Sequence, residues 1–355
     1  MGHQKDAMAV LQEGTVIPAI PLALTADKKL DENRQRLLIR YYIAAGAGGI
    51  AAGVHSTQFE IHNPKIGLLE PVLSIVADEI TRHETKTGKA IVKIAGACGP
   101  INQAVEEAKL ALKLGYNAVL LSPGGLPGLN EAGHLARAKA VAAVIPVVGF
   151  SLQTAVGGPV LSFKYWEALA EIENIVAIKT APFDRYQTLD IMRAVAWSSR
   201  AGKISMYTGN DDNIVVDLMT KFEFPKNGRI YEKRFSGGLL GHYSVWTKAN
   251  VELFYKLREA RDTGILPPDL LTIAAKITDM NAAVFDPSNR YAGCISGIHE
   301  VLRRQGLLAG TWCINENEKL SPGQAEELDR VCSMYPEYTD DDFIKENIET
   351  WVAPK

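Results

Sequence analysis

With 355 residues, 47% hydrophobic and 22% charged, the chain suits one large domain or a barrel with an appendage, and it can bury a core without disulfide or metal staples. A net charge of −3 with scattered basic residues supplies no field for nucleic acid or anionic lipid. Cys98, Cys294, Cys313 and Cys332 are too widely spaced for a disulfide framework or a structural zinc site and read as free thiols. With no signal-peptide pattern and no run approaching ~20 apolar residues, the expectation is a soluble, cytoplasmic protein with no nucleic-acid or membrane partner.

In chain order, apolar runs predict strands at Val16–Ala23, Gly49–Gly53, Ala90–Gly96, Ala118–Ser122, Pro146–Leu152, Ile175–Thr180, Ile204–Thr208 and Arg234–Leu240. Strands covered on both faces lose their alternation and become continuous apolar runs, as in parallel sheets. Amphipathic stretches lie between them at Asp31–Ala45, Gly67–Arg82, Gln103–Leu114, Glu131–Ala143, Lys164–Glu171, Tyr186–Ser198 and Asp212–Lys221, with another near His242–Ala260. Asp31 and Pro100 are helix-start residues and Gly115 a helix stop. Eight strand–helix units close a barrel, and no Gly-x-Gly-x-x-Gly follows the first strand to suggest a dinucleotide fold. The expected fold is therefore a (β/α)₈ TIM barrel over residues 1–261. A C-terminal helical extension over 262–355 is expected to pack on it, with helices at Leu270–Ala283, Ala292–Gln305, Ser321–Met334 and Asp340–Trp351. Ser321-Pro322-Gly323-Gln324 has the outline of a capping box.

Reacting groups of such barrels sit at the C-terminal ends of strands. There, Lys179 closes the otherwise apolar run Ile175–Ile178. An ammonium is costly to desolvate, so a buried lysine of lowered pKa could attack a carbonyl as the free amine. Alternatively it pairs with a carboxylate such as Asp211. His55 could be an acid/base or a carboxylate anchor, or simply bond a neighbouring loop. The polar cluster from Gly53 to Gln58 suits a 2-oxo acid carboxylate, held by backbone N–H groups and the Ser56 or Thr57 hydroxyl. Gly124-Gly125 and Gly237-Gly238 read as turn glycines or as places of close backbone approach. Asp211-Asp212 reads as a helix opening. No acid–histidine cluster recurs at strand ends, and no metal or cofactor is expected.

The run Asn174-Ile175-Val176-Ala177-Ile178-Lys179, the segment Thr208-Gly209-Asn210-Asp211-Asp212 and the approach Ala45-Gly46 to Gly53 together resemble the dihydrodipicolinate synthase / N-acetylneuraminate lyase family over about Val16 to Ala260. The resemblance implies a Schiff-base (class I) lyase acting on a pyruvate-type substrate through Lys179, in a homo-oligomer, either tetramer or dimer. It fails at several family positions: Val54 stands at a relay hydroxyl, Phe150 at the catalytic tyrosine, Ala155-Val156 at a carboxylate-binding arginine and Gly124-Gly125 at a tyrosine loop. A phenyl ring cannot shuttle protons.

The expectation is therefore a divergent lyase, aldolase or dehydratase, not a standard dihydrodipicolinate synthase. Lys179 and His55 are its catalytic residues. Ser56, Thr57, Gln58, Phe150, Ser151, Gly209, Asn210 and Gly238 form the substrate site, with His55 replacing the tyrosine because its ordinary pKa lies near neutrality. The alternative is a non-catalytic barrel that binds a metabolite or partner and keeps a vestigial lysine.

Overall fold

A computed structural model describes residues 2–352. Ten strands follow in chain order: β1 (Val16–Pro18), β2 (Gly49–Ala52), β3 (Val92–Ala97), β4 (Ala118–Leu121), β5 (Val147–Leu152), β6 (Ile175–Ala181), β7 (Ser205–Thr208), β8 (Phe222–Lys226), β9 (Arg229–Lys233) and β10 (Phe235–Leu240). All but β8 and β9 form one parallel sheet in the order β1-β10-β7-β6-β5-β4-β3-β2. A parallel bridge between Ala19 and Ala51 joins its two edges, closing the (β/α)₈ barrel. Helices alternate with the strands as expected, and their ends follow local chemistry. Asp31 accepts the Arg34 N–H to start the helix Glu32–Ala45, and Gly46, at φ 96°, ends it in the left-handed conformation.

The pleat sorts side chains between two cores. Val92, Ile94, Val148, Phe150, Leu152, Ala177, Ala181 and Tyr207 fill the barrel interior, while Val147, Ile175, Ile178 and Met206 face the helices. Lys93 lies between two inward residues of β3, so it points outward and pairs with Glu84 at 3.1 Å. The helix Gly2–Glu13, which the sequence pattern does not announce, plugs the N-terminal end. Its Leu11 is fully buried among the interior residues, and the Tyr207 hydroxyl donates to the Leu11 carbonyl at 2.8 Å.

Two further differences have local causes. The first strand ends at Pro18, although the chain stays buried to Leu24. Between β7 and β10 the antiparallel hairpin β8–β9 turns at Asn227-Gly228, both with positive φ, the dipeptide a tight hairpin turn requires.

Beyond the barrel, helices run over Leu270–Phe285, Cys294–Arg304, Gln324–Met334 and Asp341–Val352. Ile273, Ile277, Met280 and Leu302 join the outer core continuous with the barrel helices. Only half of the capping box at Ser321 forms: Gln324 Oε1 accepts the Ser321 N–H at 3.1 Å, but Gly323 is the N-cap and the Ser321 hydroxyl donates to Asp286. Among the described residues no helix is long and apolar enough to cross a membrane.

Candidate active site

At the C-terminal mouth of the barrel a narrow cavity is lined by His55, Ser56, Phe150, Lys179, Gly209 and Asp211, with Phe285 and Cys294 of the C-terminal helices forming part of its wall. Lys179 reaches it because β6 turns Ala177, Lys179 and Ala181 inward on alternate positions. Its carbon chain lies across Gly209. A Cβ at 209 would stand 2.6 Å from Lys179 Cε, so glycine is the residue that lets the lysine lie there. The ammonium nitrogen sits 4.6 Å from the centroid of Phe150, its register partner on β5.

Among the described residues no carboxylate comes within ion-pair distance of Lys179, and its side chain is 7% exposed. Burial pushes its pKa down, and the more distant charge of Asp211 opposes that shift. Asp211 shows the converse. Burial pushes its carboxyl up, against the His242 N–H donated to it at 2.8 Å and against the Lys179 charge. Asp211 therefore belongs to the cavity, beyond the helix-opening role its position suggests.

His55 lines the same cavity, and its ring packs at 5.8 Å against Phe59. Its pKa is lowered to about 4, first by burial and then by the Lys179 charge. That corrects the expectation of a histidine titrating near neutrality: His55 is a neutral imidazole at pH 7. His242, further along, is buried with its pKa also lowered to about 4 by desolvation, and its Nδ1 lies 3.4 Å from Asn281.

Several expected substrate contacts lie elsewhere. The Thr57 hydroxyl is fully buried, donates to the Ile20 carbonyl at 2.7 Å and accepts the Gly53 and Val54 N–H groups, so it holds the loop together. Gln58 turns to the C-terminal extension, where its Oε1 accepts the Ile314 N–H at 2.7 Å. Asn210 spends its amide on Phe183, Thr188 and Asp217 and is fully buried. Ser151 follows inward-facing Phe150, so the pleat turns it to the outer side with Thr180, its register partner. Gly238 sits under Tyr243, whose ring a Cβ would meet at 2.7 Å. Of the expected set, His55, Ser56, Phe150, Lys179 and Gly209 come together.

Members outside that set include Gln153 and Phe183, Asp211, which the sequence offers only as a partner of Lys179 or a helix opening, and Gly241, Phe285 and Cys294. Phe285 lies against Gly241, where a Cβ would come within 2.6 Å of its ring. Glycines that follow strand-end glycines were a usable signal for Gly241, whereas nothing local marks Phe285 or Cys294.

A family model described as the dihydrodipicolinate synthetase family matches residues 12–221. The fold is similar to dihydrodipicolinate synthase from Oceanobacillus iheyensis, at 16% identity over 93% of this chain and 99% of that one, with a TM-score of 0.73. It is also similar to dihydrodipicolinate synthase from Acinetobacter baumannii complexed with pyruvate, at 23% identity over 90% and 98% of the two chains and TM-score 0.70. N-acetylneuraminate lyase from Fusobacterium nucleatum complexed with pyruvate matches at 18% identity over 94% and 99%, with TM-score 0.69. A search of curated proteins finds no match to the sequence.

Proposed function

Because the chain belongs to the dihydrodipicolinate synthetase family, we propose that it is a class I lyase in which Lys179 forms a Schiff base with a pyruvate-type 2-oxo acid. The observation that carries this reading is a lysine buried at a strand end, free of any ion pair among the described residues, with its pKa pushed down inside a cavity. Holding an ammonium there is costly, so the neutral nucleophile is accessible near physiological pH.

In the proposed step the amine nitrogen bonds to the carbonyl carbon of the 2-oxo acid. The carbonyl oxygen leaves as water with the uptake of one proton, giving a protonated iminium on Lys179. That cation draws electrons from the bond next to it, and breaking or making a C–C bond then requires a proton carrier. Asp211 fits this role better than His55, because its pKa moves towards neutrality and that of His55 moves away. The neutral His55 ring acts as a hydrogen-bonding partner of the substrate. The substrate carboxylate is assigned to the Ser56 hydroxyl, since Thr57 and Gln58 are committed elsewhere.

Borohydride reduction in the presence of a panel of 2-oxo acids, read by intact mass and peptide mapping, tests the covalent step. A stable adduct is expected on the peptide holding Lys179 and is expected to vanish in Lys179→Ala; Lys93, tied to Glu84 outside the barrel, stays unmodified. No adduct with any 2-oxo acid would favour the second reading, a metabolite-binding barrel. The phenyl ring of Phe150 over the lysine is the feature that supports it, because it offers no proton to the site.

A further inference from the structure

Next to the Lys179 cavity, and sharing Val156 with it, lies a second cavity lined by His62, Cys98, Gln103, Ser122 and Gly124. Three of the protein's metal-ligating side-chain types meet there although the sequence spreads them from position 62 to 107. A His62 ring nitrogen, Cys98 Sγ and a Glu107 carboxylate oxygen all lie within 4.8 Å of one another. The barrel gathers them: His62 comes from the turn after β2, Cys98 directly follows β3, and Glu107 projects from the helix Ile101–Lys113 behind it.

The hydrogen bonds show what the cluster lacks. His62 Nε2 stands 2.7 Å from the Gly53 carbonyl oxygen, an acceptor only, so Nε2 carries the proton and donates. Nδ1 then faces Glu107 Oε2 at 3.0 Å. Its alignment makes no hydrogen bond, and the ring is buried with this atom unpartnered. Two lone-pair atoms held that close require a cation beside both. A proton or a metal ion supplies that charge, and the donor set decides between them in favour of the metal.

We propose that Cys98, His62 and Glu107 form a site for a zinc-like divalent transition metal, with three protein ligands and a fourth position open to the second cavity. Thiolate, imidazole and carboxylate together are the donor set of such ions, and a tetrahedral centre with bonds near 2.1 Å separates neighbouring N and O ligands by about 3.4 Å, a few tenths of an ångström beyond the observed 3.0 Å. One thiolate and one carboxylate offset the dication's charge.

The surroundings are built as metal sites are. The ligating histidine gives its other N–H to a backbone carbonyl, as second-sphere partners of metal-bound histidines do. The carboxylate is fixed by the Gln103 amide on Oε1 at 2.8 Å and by the Cys98 N–H on Oε2 at 2.7 Å. Arg137 donates to the Gly99 carbonyl at 2.7 Å and is not among the residues lining the second cavity, whereas Cys98 is.

Cobalt(II) titration of the metal-stripped full chain reads the site directly, since a thiolate-to-cobalt charge-transfer band reports the Cys98 bond. The expected result is a band that saturates at one equivalent, is displaced by zinc, and is lost in both Cys98→Ser and His62→Gln. A band that survives Cys98→Ser, or no stoichiometric band, overturns the proposal. Should the variants not fold, alkylation of the wild type decides it. Zinc is expected to slow iodoacetamide modification of the Cys98 peptide at least about tenfold, the scale on which metal ligation masks a thiol. Alkylation of Cys98 unaffected by zinc identifies instead a metal-free imidazolium–carboxylate pair with a bystander thiol. Neither readout depends on Lys179, so this proposal and the Schiff-base reading stand or fall separately.

Discussion

Gly209→Ala is the sharpest test of how the barrel holds its lysine. The glycine does not have a left-handed φ, so alanine suits the backbone and the effect is purely steric. The new methyl carbon would lie 2.6 Å from Lys179 Cε, 3.1 Å from Lys179 Cγ and 2.7 Å from Ala181 Cβ. Carbon atoms prefer about 3.5–4.0 Å, so the lysine must retreat by about 1 Å. A new rotamer of Lys179 cannot relieve the whole clash, because Ala181 is fixed on the same strand. Overpacking of this kind costs about 1–3 kcal/mol of stability, and misplacing a reacting group by about 1 Å costs on the order of a hundredfold in rate. The assay compares the single-turnover rate of borohydride trapping with pyruvate against the melting temperature of the same preparation. Trapping is expected to slow about a hundredfold in a protein that still folds. An unchanged trapping rate in a folded Gly209→Ala protein would refute the claim that Lys179 reacts from its position across Gly209.

Asp211→Asn removes the charge that raises the Lys179 pKa, so the pH midpoint of adduct formation is expected to shift to lower pH while turnover falls about a hundredfold or more; a midpoint that rises or stays put counts against the coupling. His299, buried on the helix Cys294–Arg304, has its pKa lowered to about 4, so the unfolded chain binds the extra proton first and this residue's contribution to stability, present above about pH 6.5, is lost as the pH falls towards 4. Relative to wild type, His299→Leu is expected to gain on the order of 3 kcal/mol between pH 7 and pH 4 in denaturant unfolding, and a constant difference across that range would contradict the burial account.

The barrel was legible because its strands are buried on both faces and read as unbroken apolar runs, and because each strand–helix unit repeats the same signal. Asn227-Gly228 is also a readable hairpin signal, although the strands on either side of it stand outside the barrel's parallel pattern. Lys179 stood out for an energetic reason: a charge at the end of an apolar strand is anomalous wherever the strand goes. Ser151 shows where reading along the chain stops. Its side was set by the pleat, but choosing the inward parity of β5 required knowing that Phe150 registers with Lys179, which is a relation between strands.

Asp211 was legible as a candidate partner of Lys179 but not as a buried group of the site. An acidic residue at a helix start is ordinary and stabilising, so its position drew a local explanation. What makes it chemically unusual is the enclosure of the mouth by Phe285 and Cys294, more than seventy positions further along the chain. Its pKa is raised chiefly by that burial, and the amine of Lys179 is pushed down in the same enclosed space. The helices of the extension, which carry no strand-end residue, therefore help set the protonation of both groups. It follows that the family match over residues 12–221 covers Lys179 and Asp211 but leaves out part of what tunes them. Family resemblance thus locates this pair of groups, and their poise near neutrality depends on side chains that lie beyond the matched segment.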